Sequence, residues 1–390
     1  MLRSLYSGIS GLRAHQAMLD VTGNNIANVN TAGFKASSTQ FQDTLSQMTQ
    51  GAGAPQAETG GTNPAQIGLG VRVAGVSTNF SQGSSQNTGR ATDMMISGDG
   101  FFITSKAGQQ LYTRAGAFDM DAAGRLVSPD GGILQGWSAA NGAVNLGGPV
   151  GPIALSPNTT SAAVATTKAS LDGNLPSDAA VGTSVERQVK VYDSDGASRS
   201  LTLTFSRSAG GWDVAGADAN GATGNSTLTF ANGALTSGGA MTVGGISVDM
   251  STVTGFAAMS TLTVGSQNGS EAGKLESFTL GGDGSLIGSF SNGSKQVMAR
   301  VALARFTNPG GLEKSGSSTY VATANSGAAQ LGAPGDAGLG TLTAGALEMS
   351  NVDLSQEFTN LIVAQRGFQA NARIITTSDE VLQELTNLKH

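Results

Sequence analysis

Residues 2–26 read LRSLYSGISGLRAHQAMLDVTGNNI, with apolar side chains at Leu2, Leu5, Ile9, Leu12, Leu19 and Ile26 and only Gln16 and Gly23 breaking a 3–4 alternation. That spacing predicts an α-helix with one narrow apolar seam. A second stripe near the other end runs through Leu354, Phe358, Leu361, Gln365, Phe368, Ala372 and Ile375, and Leu382, Leu385 and Leu388 continue it. Two seams so far apart in sequence have to find each other or find copies of themselves. The residues between them are Gly-rich and alternate like β-structure, so the expected fold is mainly β with terminal α-helices, the N- and C-terminal helices pairing as a coiled coil with two nested all-β domains between them. An assembly subunit fits this pattern better than an enzyme does.

Composition narrows the reading. The chain has 390 residues, of which 12% are charged and 5% aromatic, while glycine occupies 57 positions. Its surface must then be built largely from Ser, Thr, Asn, Gln, Ala and backbone. A net charge of -6, with no run of Lys or Arg, argues against nucleic-acid and anionic-membrane partners, which need clustered cations. Cysteine is absent, so disulfides and thiolate chemistry are excluded and stability must come from packing or assembly. No stretch approaches the roughly 18 apolar residues of a membrane span, so membrane insertion is not expected. The N-terminus lacks the apolar block of a cleaved signal, so an extracellular destination would need an uncleaved export route.

Along the chain, the first helix is expected from about residue 3 to 29, ending where Asn28, Asn30 and Gly33 supply C-terminal breaking chemistry. The closing helix is expected from near Ser350, where Ser350 and Asp353 stand at capping-box spacing and Glu357 complements the helix dipole. Residues 1–30 and 350–390 are read as a helical assembly domain and 31–70 as an extended connector rich in Gln, Ser, Thr and Gly. Residues 71–147 and 275–349 are read as an interrupted inner β-domain, with turns at Asp283-Gly284 and Asn292-Gly293. Residues 148–274 form an inserted outer β-domain that opens with Pro149, Pro152 and Pro157. Within it Leu201, Leu203 and Phe205 alternate with Thr202 and Thr204 after the Asp193-Ser194-Asp195-Gly196 turn. Such nesting suits a tube wall with helices inside and the insert outside.

Candidate chemistry is sparse. Gly273-Lys274 has Asn268 and Leu275 where a phosphate-binding loop needs Gly and Ser or Thr. Gly98-Asp99-Gly100 reads as a turn. Asp119, Asp121, Gly124 and Asp130 fit four positions of a calcium loop, but Ala123 and the lack of a closing Glu favour a hairpin turn. The two histidines, His15 and His390, leave almost no material for His-dependent catalysis or metal binding. No catalytic residue, metal site or cofactor is assigned.

The first helix closes with Asn24-Asn25-Ile26-Ala27-Asn28-Val29-Asn30-Thr31-Ala32-Gly33-Phe34-Lys35, which resembles the N-terminal signature of the bacterial flagellar axial proteins, the rod and hook family. Asn351-Val352-Asp353-Leu354-Ser355-Gln356-Glu357-Phe358 and Gln365-Arg366-Gly367-Phe368-Gln369-Ala370-Asn371 are similar to its C-terminal signature. Gly98-Asp99-Gly100-Phe101-Phe102 and Tyr112-Thr113-Arg114-Ala115-Gly116-Ala117-Phe118 resemble its shared β-domain. The resemblance marks Asn24, Asn25, Asn28, Thr31, Gly33, Phe34, Gln365 and Asn371 as motif positions. Leu5, Ile9, Leu12, Leu19, Ile26, Leu354, Phe358, Leu361, Phe368, Ile375, Leu382 and Leu385 are the candidate self-assembly residues.

The resemblance implies a homopolymer of many copies, exported by the flagellar type III apparatus without cleavage. It also implies adjacent rod, cap and junction proteins as partners, and a curved tube that transmits torque. The length of the insert, and Val191-Tyr192-Asp193-Ser194-Asp195-Gly196 within it, favour the hook branch over the distal rod. A secreted β-rich adhesin with helical oligomerisation ends remains the alternative of another class.

Overall fold

The computed structural model describes residues 2–56, 60–140, 142–156, 158–336 and 338–387. Pro157, Leu388 and His390, which the sequence reading used, lie outside the described residues. Helix α1 (Leu2–Ala27) and helix α2 (Leu354–Asn387) bracket a chain that is otherwise mostly strands. Helix α2 has 34 residues and so spans about 51 Å.

The start of α2 differs from expectation. Asp353 is its cap: the carboxylate Oδ1 accepts the N–H of Ser355 at 2.8 Å and of Gln356 at 3.3 Å, satisfying donors that have no partner inside the helix. Ser350 lies in the approach, its hydroxyl accepting the Val352 N–H at 3.3 Å. A capping-box spacing and a single Asx cap look alike in sequence, because both begin with a short polar side chain.

The chain divides into two compact units, one made of residues up to 155, 280–286 and 297 onward, the other of 156–279 and 287–296. In the first unit, α1 and α2 pack together. Gly8 faces Ile374 and Ile375, Gly11 faces Asn371, His15 faces Gly367 and Asn25 meets Glu357. Partners fall in number as α1 positions rise, so the helices are antiparallel. After α1, Ser37–Asp43 pairs antiparallel with Val71–Thr78, and Ser46–Gln50 with Ala65–Gly68, making a ribbon of paired strands out of the segment read as a connector. Phe101–Lys106 is flanked by Gln109–Thr113, Ile133–Ala140 and Leu303–Arg305. Thr319–Val321 extends that sheet from Gln109–Thr113.

The core of the first unit is aromatic. Phe101 meets Phe80, Phe306 and Tyr320 edge-on at centroid separations of 5.5, 5.8 and 6.0 Å, and Tyr112 meets Phe306 at 4.8 Å. These T-shaped pairs add to the area buried by each ring.

The second unit packs two sheets face to face. One is a five-stranded meander, Ser184–Tyr192, Ser198–Ser208, Gly211–Asp218, Thr223–Ala231 and Ala234–Ser237. The other orders Ala240–Val243, Ile246–Asp249, Lys168–Asp172 and Thr263–Gln267. Leu201, Leu203 and Phe205 point inward with Trp212, Val214 and Val243, while the intervening Thr202 and Thr204 are half-buried. Asn232 and Gly233, at φ +53° and +81°, supply the left-handed pair that a tight hairpin requires.

Candidate assembly surface

The seam that joins α1 to α2 is built from small and polar residues. On α1 it comprises Gly8, Gly11, Thr22 and Asn25, with His15 and Met18 at the same seven-residue spacing. On α2 it follows Glu357, Ala364, Asn371 and Ser378. A Cβ added at Gly11 would stand 2.6 Å from the Asn371 Oδ1, and one at Gly367 would stand 2.5 Å from the His15 ring. Glycine at those positions lets the two backbones approach.

The apolar stripe seen in the sequence of α1 lies one position further along, which turns it about 100° around the helix. Leu5, Ile9, Leu12, Leu19 and Ile26 are therefore half-buried along the edge of the seam, as are Leu361, Ile375 and Leu382 on α2. Leu354, Phe358, Phe368 and Leu385 are exposed. Ile362, Val363, Ile374 and Val381 join them, and Phe358, Ile362 and Val363 keep 52%, 55% and 53% of their surface open. Ile375 of the α2 stripe packs against Gly8, and otherwise the two stripes flank a seam of smaller residues and leave large apolar side chains uncovered. Monomeric proteins rarely leave such a row open.

Beneath this surface the motif residues fasten the roots of both helices. The Asn25 side chain donates to the Ser37 carbonyl at 2.7 Å and to Glu357 Oε1 at 3.0 Å, and its oxygen accepts the Ser37 N–H at 3.0 Å. Asn28 donates to the Asn24 carbonyl and side chain, and Thr31 donates to Asn28 Oδ1. Gly33 takes φ +70° with its N–H on the Glu348 carbonyl at 2.7 Å. A Cβ there would stand 2.4 Å from the Ala115 nitrogen, so only glycine fits. Asn351 accepts the Ala36 N–H and donates to the Asn79 and Ser81 carbonyls. Phe34 lies under the Lys314 ammonium, 5.5 Å from its ring centroid. Asn371 donates to the Gly367 carbonyl within its own helix, while Gln365 is exposed.

Next to Gly33 sits an ionic cluster that the sequence reading missed. Lys35 donates to Glu348 Oε1 at 2.5 Å and to the Ser81 carbonyl at 2.8 Å, and Arg114 reaches Glu348 Oε2 at 3.4 Å and the Gly98 carbonyl at 2.9 Å. All three side chains are buried. Burial pushes the Lys35 ammonium and the Arg114 guanidinium below their ordinary values, and Glu348 pulls each back up. The Arg114 guanidinium also lies over the Phe101 ring at 5.3 Å. Burial pushes the nearby Tyr320 phenol up to about 12.

The loop after Asp119 is a turn. Asp121 Oδ1 accepts the N–H groups of Ala123 and Arg125, and its other oxygen meets the Arg125 guanidinium at 2.7 Å. Those hydrogen bonds hold the carboxyl below its ordinary value. The positive charge beside it is the Arg125 guanidinium.

A chain whose two ends combine into one helical rod with uncovered apolar flanks, anchored through a buried polar lock, is built as a structural assembly subunit. Its relatives are of that kind. Three family profiles match: "Flagella basal body rod protein" over residues 5–35, "Flagellar hook protein FlgE/F/G D1 domain" over 95–167 and "Flagellar basal body rod FlgEFG protein C-terminal" over 343–388. The chain is 40% identical to the flagellar hook protein FlgE of Borreliella burgdorferi over the full length of both. It is 36% identical to the hook protein FlgE of Salmonella typhimurium over 99% of this chain and 100% of that one. It is also 35% identical, again over the full length of both, to the flagellar basal-body rod protein FlgG of Bacillus subtilis. The chain belongs to the flagellar rod and hook family.

Proposed function

We propose that this chain is the structural subunit of the bacterial flagellar hook, polymerising into the curved tube that passes torque from rod to filament. The observation that carries the reading is the uncovered apolar row on α2, which a neighbouring copy would bury. Full-length identity to hook subunits from several organisms supports it. In the tube, packing of large apolar side chains holds neighbours together near the axis, each worth roughly 1.5–3 kcal/mol when fully buried. The β-surfaces, rich in Gly, Ser, Thr and Asn, offer weak contacts that exchange as the bent tube turns.

The self-assembly residues in this proposal are those exposed or half-buried on the two helices, with the Asn24–Phe34 motif acting as a fastening beneath them. Partners are further copies, the adjacent rod, cap and junction proteins and the type III export apparatus. The role calls for no catalysis, cofactor, metal, nucleic acid or membrane insertion. Placement outside the cell follows from export without a cleaved signal.

The similarity to a rod-named relative favours one second reading, a distal rod subunit. Electron microscopy of basal bodies from a strain lacking this gene separates the two. The hook reading expects complete rods without hooks. Basal bodies that lack the distal rod would replace it with the second reading, and normal flagella would reject both.

A further inference from the structure

The first unit cannot complete its interior until nearly all of the chain is present. Lys35 and Arg114 are buried cations, and Glu348 is the carboxylate hydrogen-bonded to both, 313 and 234 residues away. Their other partners, the carbonyls of Ser81 and Gly98, are neutral, and Asp99 attracts Arg114 from an exposed position. Glu348 also accepts the Gly83 N–H at 2.9 Å, its carbonyl accepts the Gly33 N–H, and its strand, Ala346–Glu348, pairs with Ser85–Asn87. One late residue thus closes three early segments, at residues 33–35, 83–87 and 114. The five-stranded meander of the second unit, by contrast, pairs only neighbours in sequence between Ser184 and Ser237.

We propose that Glu348 is a late-arriving charge latch, which holds the first unit open on an incomplete chain and lets it close only after residue 348 has been delivered. Any process that delivers the chain N-terminus first brings Lys35 and Arg114 into place long before their carboxylate. Burying them without it would leave two cations on neutral carbonyls, and removal of one member of a buried ionic cluster is strongly unfavourable. The early segments therefore stay solvated while the second unit folds. The latch stands on this geometry whether or not the hook reading holds.

The two tryptophans make it testable in the full chain, since Trp137 is buried in the first unit and Trp212 in the second. Trp212→Phe and Trp137→Phe proteins report the units separately. On refolding, the Trp212 signal is expected before the Trp137 signal. In Glu348→Gln, the Trp137 phase should slow at least about tenfold and its thermal midpoint should drop by about 10 °C, with the Trp212 phase unchanged. If the first unit of Glu348→Gln fails to fold, Lys35→Met in the same protein should restore a Trp137 transition, because it removes an unmatched cation. Three results overturn the latch: a Trp137 signal preceding Trp212, a Glu348→Gln protein that refolds like the parent, or a failed Glu348→Gln that Lys35→Met does not improve.

Discussion

Phe358→Ala separates assembly from folding. Phe358 keeps 52% of its surface in the isolated chain, so about half of a side chain that buries 150–250 Å² remains for a neighbour to cover. At about 25 cal/mol per Å², covering roughly 100 Å² contributes about 2.5 kcal/mol at the contact between copies. That converts to a critical concentration for polymerisation raised roughly 70-fold. The assay is sedimentation of purified full-length protein over a concentration series, with far-UV circular dichroism and thermal unfolding of both units as controls. The parent and the variant should share their unfolding midpoints within a few degrees while their critical concentrations separate. A variant that polymerises at the parent concentration would refute the assignment of this face. One that loses helix content or β-unit stability would show that Phe358 serves the fold of its own chain.

Gly11→Leu drives a side chain into Asn371, where even a Cβ would stand at 2.6 Å. It should separate α1 from α2 at an overpacking cost of about 1–3 kcal/mol and abolish polymerisation. Retention of tubes would argue against the small-residue seam. Trp212→Ala should destabilise the second unit by about 3–5 kcal/mol and leave the Trp137 fluorescence of the first unit unchanged; calorimetry with a single shared transition would contradict the independence of the two units. At alkaline pH the sign follows from Tyr320, whose phenol is raised from 10.0 to about 12 in the fold. The folded state keeps a proton that the unfolded state loses, so this contribution is full below pH 10 and falls by about 2–3 kcal/mol as pH rises to 12. Lys35 is shifted the other way and acts only below its ordinary value of 10.5. Urea midpoints across pH 10–12 should therefore fall less steeply in Tyr320→Phe, and equal slopes would remove the claim.

The helices were legible because large apolar residues recur at helical spacing, and the Leu201–Phe205 strand because its threonines alternate so regularly. The face that pairs inside the chain was not legible. Hydrophobic periodicity marks surface that must leave water, and it cannot say whether the same chain or another one covers it. Here the intrachain seam is carried by Gly8, Gly11, Ala364, Gly367 and Ser378, residues whose value is their small size, so they add nothing to an apolar count. The seven-residue repeats Gly8-His15-Thr22 and Gly11-Met18-Asn25 on α1, and Glu357-Ala364-Asn371-Ser378 on α2, were the available signal. The Lys35, Arg114 and Glu348 cluster had none, because three common charged residues far apart in sequence become a site only when strands such as Ser85–Asn87 and Ala346–Glu348 pair. The Asn24–Lys35 stretch drew notice as a motif, but its work, locking α1 to Ser37, Glu348 and Glu357, depends on partners that sequence does not name.

Hydroxyl-radical footprinting of the same protein, free and assembled, tests the central claim most directly. Phe358, Ile362, Val363 and Leu385 should be labelled in the free chain and strongly protected in the tube, while Trp212 stays protected in both. Equal labelling of the four α2 residues in the two states would contradict the account.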